Sequence, residues 1–257
     1  MPERATGTPC WVDVSVPDIE AAKTFYAGLL GWDCRTDPRP DAGGYTMCFV
    51  DGVVAAAITP MWTEHATAGW SVYFASDDAD ASAAAVAGNG GQVIAPPMDV
   101  FDAGRMSFVL DPVGATFGIW QKGVHRGMET DYVPGAVAWI ELVARGAQQA
   151  ATFYDAVFGL KAVPLPGGPT DYWLLQQGGE TAGGLIELDE ATSGADGSHW
   201  RVYVTVADAD ASCEQAIELG GRVEIATFDA PGIGRIAFLR DPFNVRLGII
   251  QPEPRPS

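Results

Sequence analysis

Aromatic and charged residues recur in this chain in matched positions. Trp11 and Asp13 stand two apart in WVDVSV, and Trp139 and Glu141 stand two apart in AVAWIELVA. Residues two apart on a strand share a face, so each pair sets an indole beside a carboxylate. Ser71 and Tyr73 correspond to Arg201 and Tyr203, Arg105 to Arg235, and Gly118, two residues before Trp120, to Gly248. Two chemistries suit such residues. Indole and phenol rings stack on planar or cationic organic molecules, at about 0.5–1.5 kcal/mol per aromatic pair beyond burial. Asp13 or Glu187 with Arg201 offers a pair for general acid–base work.

Other reactive constellations are missing. No Cys–His or Ser–His pair is placed as a nucleophile with its base, and there is no GxSxG elbow. GNGG at 88–91 and GIGR at 232–235 lack the strand-to-helix setting of a phosphate loop and read as turns. The four cysteines (Cys10, Cys34, Cys48, Cys213) are scattered without a CxxC, which reads as reduced thiols in a cytoplasm. The three histidines, His65, His125 and His199, lie in linker-like segments.

The elements that position these residues occur twice. Trp70–Gln121 and Trp200–Gln251 align without a gap at an offset of 130, with 20 of 52 positions identical. TFYAGLLGW and TFYDAVFGL align at an offset of 128. Two long copies indicate duplicated domains and not a stacked array. Each copy reads as two βαβββ units. WVDVSV alternates as a half-buried strand, with Val12, Val14 and Val16 on one face and Trp11, Asp13 and Ser15 on the other. Pro17 can open a helix with Ala21, Ala22, Phe25 and Leu29 at helical spacing, which Gly31 stops. YTMCFV and VVAAAI flank Asp51-Gly52, a hairpin signal. A strand over 71–75, a helix over 78–87 and strands near Val93, over 105–110 and over 116–121 follow. The expected organisation is a first domain at 1–121, a linker at 122–134, a second domain at 135–251 and a tail at 252–257. At 257 residues each half can bury its own core.

Composition narrows the partners. The net charge of −18 leaves no Lys/Arg cluster for phosphate, so nucleic acid and anionic membranes are not expected partners. The N-terminus has no signal-like apolar stretch and no apolar run reaches membrane-spanning length, so a soluble cytoplasmic protein is expected. The duplication mimics a dimer of single domains, so a monomer is expected.

A strand, an amphipathic helix ending FYxxxxG(W/L), a D(D/A)xxA helix, a Gly-Gly and a closing DP segment together resemble the vicinal oxygen chelate superfamily. That family includes glyoxalase I, extradiol dioxygenases, fosfomycin resistance enzymes and bleomycin-resistance binding proteins. The resemblance spans nearly the whole chain twice. It implies an α+β fold of four βαβββ units in two tandem domains, with curved mixed sheets forming clefts and helices on their outer faces. It also implies where a divalent ion would be held in the family's metalloenzymes. Those positions fall on Trp11, Thr59, Ser71 and Gly118 in the first repeat, and on Trp139, Glu187, Arg201 and Gly248 in the second. Only Glu187 can ligate, and a catalytic ion needs about three protein ligands. No metal and no cofactor are therefore expected, although Glu187, Glu141 and His199 would offer an unusual alternative site.

On that frame the cleft-facing residues are Trp11, Asp13, Ser71, Tyr73, Arg105, Gly118 and Trp120, then Trp139, Glu141, Glu187, Arg201, Tyr203, Arg235, Arg246 and Gly248. Gly where the family has Glu clears space. Trp11, Tyr73, Trp120, Trp139, Glu141, Arg201 and Tyr203 are the expected ligand-binding set, and Asp13, Glu187 and Arg201 the catalytic candidates. Trp70 and Trp200 read as packing, Arg105 and Arg235 also as salt-bridge residues, and His199 as solvent-facing. The expected function is metal-independent binding of a small aromatic or cationic molecule, as in antibiotic sequestration. The alternatives are a metal-free lyase, isomerase or cyclase of secondary metabolism, which resemblance alone would label a glyoxalase or hydroxylase, and a structural protein with a filled cleft.

Overall fold

The computed structural model describes residues 4–63, 67–129, 133–169, 171–188 and 197–253; His65 lies outside them. Four βαβββ modules follow one another. The first is β1 (Pro9–Val16), α1 (Ile19–Leu30), β2 (Asp33–Thr36), β3 (Thr46–Val50) and β4 (Val53–Pro60). The second is β5 (Gly69–Ala75), α2 (Ala79–Gly88), β6 (Gln92–Val100), β7 (Gly104–Leu110) and β8 (Thr116–Lys122). The third is β9 (Val137–Ala144), α3 (Ala147–Phe158), β10 (Lys161–Pro164), β11 (Tyr172–Gln177) and β12 (Glu180–Glu187). The fourth is β13 (His199–Thr205), α4 (Ala209–Glu218), β14 (Arg222–Ala230), β15 (Gly234–Arg240) and β16 (Arg246–Pro252). No helix among the described residues is long and apolar enough to cross a membrane.

Local chemistry explains these boundaries. Asp18, not Pro17, caps α1, accepting from the Ala21 N–H at 3.0 Å, and Gly31 ends the helix at φ 70°. Asp51 and Gly52 both take positive φ, the twist-matched hairpin turn. Asp78 and Asp208 cap α2 and α4 in the same way as Asp18.

Strand pairing follows the repeats. One eight-stranded sheet runs β2-β3-β4-β1-β5-β8-β7-β6, the other β10-β11-β12-β9-β13-β16-β15-β14. The pairs β1–β4, β5–β8, β12–β9 and β13–β16 are parallel and the hairpin pairs antiparallel, so both sheets are mixed. β1 is central, so both of its faces are buried and not one: Val12 and Val14 are fully covered, and Trp11 and Asp13 are each 2% exposed.

Packing sorts the modules differently. The chain divides into two compact units. Unit 1 comprises residues 1–11, 71–127 and 140–201, essentially the second and third modules; unit 2 comprises 12–70, 128–139 and 202–257, essentially the first and fourth. The repeated motifs hold each unit together. In unit 2 Tyr26 donates to Asp241 at 2.9 Å, and a Cβ on Gly221 would lie 2.8 Å from the Phe25 ring. In unit 1 Tyr154 donates to Asp111 at 3.0 Å, and a Cβ on Gly91 would lie 3.1 Å from the Phe153 ring. The FY of one repeat thus meets the Gly-Gly and DP of the other. Trp70 and Trp200 belong to these cores: Trp70 packs edge-on against Tyr26 and Trp32, and Trp200 donates to the Tyr154 hydroxyl at 3.1 Å.

Candidate functional site

In unit 1, strand alternation places Trp11, Tyr73 and Trp120 on the sheet face away from the helices. The linker after β8 returns to this face. Gly123 and His125 both donate backbone N–H groups to the Ala103 carbonyl, at 2.8 and 3.0 Å, and the Trp120 indole donates to the His125 carbonyl at 3.0 Å. The His125 ring consequently lies between the two indoles, 4.4 Å from Trp11 at 85° and 5.6 Å from Trp120 at 67°. Its Nε2 is buried without a hydrogen-bond partner among the described residues, and burial lowers its pKa to about 4. Periodicity reads this segment as linker, and nothing local marks the histidine as a wedge.

Tyr73 lies over Gly118, and Tyr203 lies over Gly248 in unit 2; a Cβ on either glycine would collide with the tyrosine ring. The glycines therefore do not clear space. They are bare because a neighbouring ring occupies the position, the pattern in which an aromatic covers a strand glycine. Phe108 packs edge-on against Tyr73 and Phe238 against Tyr203.

Arg105 and Arg235 face the helix side and not the cleft. Arg105 bridges Asp80 in the first turn of α2 at 2.7 Å and Asp99 of β6 at 2.8 Å. Arg235 repeats this with Asp210 at 2.8 Å and Asp229 at 2.9 Å. Each guanidinium holds its helix carboxylate, Asp80 or Asp210, below the ordinary range.

Glu187 has a structural duty. Its carboxylate accepts from the Gly146 N–H at 2.8 Å and the Ala147 N–H at 2.6 Å. The N-cap residue of α3 is Gly146, which has no side chain to cap with, so a carboxylate from the end of β12 satisfies those donors. Glu187 therefore does not pair with Arg201 as its position suggested. Arg201 instead donates to Glu141 at 2.9 Å, with the two side chains 16% and 5% exposed. His199 heads β13, half-buried and not solvent-facing, with Nδ1 2.8 Å from the Gly197 carbonyl.

In unit 2, Asp13 is buried in β1 opposite Ala57 of β4. Trp139 packs into one apolar cluster with Tyr203, Ile236, Phe238 and Ile250. Arg246 and Arg240 both hold Glu224, the Arg240 Nη2 contact at 2.7 Å, and lower its pKa to about 2. The predicted residues thus form aromatic faces in both units and one buried ion pair in unit 1. Two surface cavities of about 480 and 390 Å³ flank α3, lined by residues such as Thr152 and Ala156, and neither includes the predicted set.

The family-type metal positions do not fit an ion. Trp11 is packed on His125, both glycines lie under tyrosine rings, and the lone carboxylate is committed to the α3 terminus. Among the described residues no three His, Cys, Asp or Glu side chains gather in a way that could hold a metal.

Family models match both halves: Glyoxalase/Bleomycin resistance protein/Dioxygenase superfamily over residues 10–119 and Glyoxalase-like domain over 139–249. The chain belongs to this superfamily, the vicinal oxygen chelate fold. Among its relatives are the Anthracycline biosynthesis protein DnrV of Streptomyces peucetius, 40% identical over 98% of this chain and 95% of the relative, and DauV of Streptomyces sp. (strain C5), 39% identical with the same coverage. A Mn(II)-bound glyoxalase from Novosphingobium aromaticivorans shares the fold at a TM-score of 0.67 and 16% identity, over 97% of this chain and 83% of that one. At that identity the likeness speaks for fold alone. As a vicinal oxygen chelate protein, the chain keeps both tandem domains while its ligand positions have been given to packing.

Proposed function

We propose that this protein binds a small planar aromatic molecule without a metal, in the service of an aromatic natural product such as an anthracycline or its precursor. The observation that carries this is that ring surfaces occupy the family's ligand positions: Trp11 and Trp139 stand at two of them, and Tyr73 and Tyr203 cover Gly118 and Gly248 at two more, with Trp120 beside Gly118 on the same face. Apolar, aromatic walls with a few placed polar groups are the usual make-up of small-molecule sites. The acidic chain, at −18, would steer a cationic ligand towards these rings. Full-length similarity to DnrV and DauV supports the ligand class.

The test is tryptophan fluorescence during titration with a water-soluble fused-ring anthraquinone, before and after chelator treatment. Saturable quenching that survives the chelator and weakens in Trp120→Ala is expected. Quenching that appears only when a divalent ion is added back would overturn the reading.

A second reading rests on the buried Glu141–Arg201 pair and on the word biosynthesis in both relatives' names. Glu141 would act as a general base and Arg201 would stabilise a developing oxyanion on the same ligand. Chelator-resistant turnover lost in Glu141→Gln would select this reading over binding alone.

A further inference from the structure

The four cysteines are not equivalent. Cys34 on the edge strand β2 lies directly across from Cys48 on β3, and their sulfur atoms are 3.3 Å apart. The next pair on the same face, Thr36 and Thr46, holds the register with a 2.9 Å hydroxyl contact. We propose that Cys34 and Cys48 form a reversible thiol-modification site, which takes small-molecule disulfides such as oxidised glutathione and closes into a cross-strand disulfide.

The geometry requires little movement. Directly opposed residues on paired strands have Cα atoms about 4.5–5.5 Å apart, inside the span a disulfide bridges. The sulfurs need only close from 3.3 Å to about 2.05 Å. Access is asymmetric. Cys34 is half-buried, whereas Cys48 is fully covered. Cys34 is therefore the attacking thiol and Cys48 the resolving one.

The electrostatic setting agrees with that order. The hydrogen bond from Cys48 holds the Cys34 thiol below its usual range, assisted by Lys23 and opposed by burial, Asp33 and Glu20. The same hydrogen bond, then burial, pushes Cys48 up. The other two thiols are poor competitors: burial pushes Cys10 up to about 12 and also raises Cys213.

The exchange balances. The Cys34 thiolate attacks one sulfur of the external disulfide, forming a mixed disulfide and expelling a thiolate. Cys48 then gives up its proton, attacks the Cys34 sulfur and expels the second thiolate. Two electrons pass from the cysteine pair to the external disulfide, which leaves as two thiols.

The full chain is incubated with excess oxidised glutathione, and its thiols and mass are followed. The expected product has lost two titratable thiols and the mass of two hydrogens. Its peptides are joined through Cys34 and Cys48, its melting temperature is raised, and dithiothreitol reverses all of these changes. In Cys48→Ala the reaction stops at a glutathione adduct on Cys34. Wild-type mapping needs no variant, so a poorly folding Cys48→Ala does not obscure the result. An unchanged thiol count, a stable glutathione adduct on Cys34 in the wild type, or linkage through Cys10 or Cys213 would each overturn the proposal. None of these outcomes depends on the ligand-binding reading.

Discussion

The Tyr26 hydroxyl donates to the Asp241 carboxylate, 215 residues away, and Tyr154 repeats the bond on Asp111 across 43 residues. Each aspartate also turns its own loop: Asp241 accepts from the Phe243 and Val245 N–H groups, and Asp111 from those of Val113 and Ala115. The two bonds join each helix motif to the closing DP motif of the other repeat, which is how packing couples modules that strand pairing keeps apart.

Tyr26→Phe and Tyr154→Phe leave a buried carboxylate one donor short, so each costs about 1–3 kcal/mol in urea unfolding. Burial and the neighbouring aspartate hold both hydroxyls well above the ordinary tyrosine value of 10.0. They stay protonated in the fold while unfolded tyrosines ionise, so their contribution is complete below pH 10 and lost as pH rises above it. The double Phe variant has a flatter alkaline limb. An alkaline limb identical to wild type removes these bonds as its cause.

His125 titrates with the opposite sign. Its pKa falls from 6.5 to about 4 on burial, so the unfolded chain binds the proton more tightly. The neutral ring's contribution is complete above pH 6.5 and is lost as pH falls towards 4. Tryptophan emission follows the same window because His125 contacts Trp11 and Trp120. His125→Phe keeps a ring in the wedge and abolishes the step; persistence of the step in that variant assigns it to the carboxylates.

Glu187→Gln keeps a capping acceptor while Glu187→Ala removes it. The alanine variant loses about 0.5–2 kcal/mol, the range for a lost helix cap, with faster amide exchange at Gly146 and Ala147. The glutamine variant loses less. Equal losses in both would mean that charge, and not the hydrogen bonds, carries the effect.

Breaking the Glu141–Arg201 pair from one side leaves a buried charge. Glu141→Leu alone costs about 3–5 kcal/mol, whereas Glu141→Leu with Arg201→Met is close to neutral. A double-mutant cycle of denaturation midpoints measures the coupling. Additive losses would show that the two groups do not stabilise one another.

Much of this protein is legible along the chain. The Asp51-Gly52 hairpin, the helix stop at Gly31 and the βαβββ order rest on local backbone preference and on hydrophobic period, and these act over a few residues. The unsuitability of Trp11, Gly118 and Gly248 as metal ligands is a property of the side chains themselves. Partner choice is another matter. Arg105 faces Asp80 because a strand end and a helix first turn meet there, and Glu187 caps α3 because Gly146 cannot. His125 becomes a wedge only because its segment is pinned to Ala103.

The amino-acid order by itself determined the duplicated modules, their turns and the loss of ligating groups. Tertiary structure decided which module each motif grips. The two repeats carry the same FY, Gly-Gly and DP, so Tyr26 has a chemically equal partner in Asp111 and in Asp241, and residue identity cannot choose between them. The choice is made where whole surfaces pack: Tyr26 lies against Trp32 and Trp70 in unit 2, and Tyr154 against Phe74, Phe117 and Trp200 in unit 1, contacts that depend on burial over many residues and not on the identity of the aspartate.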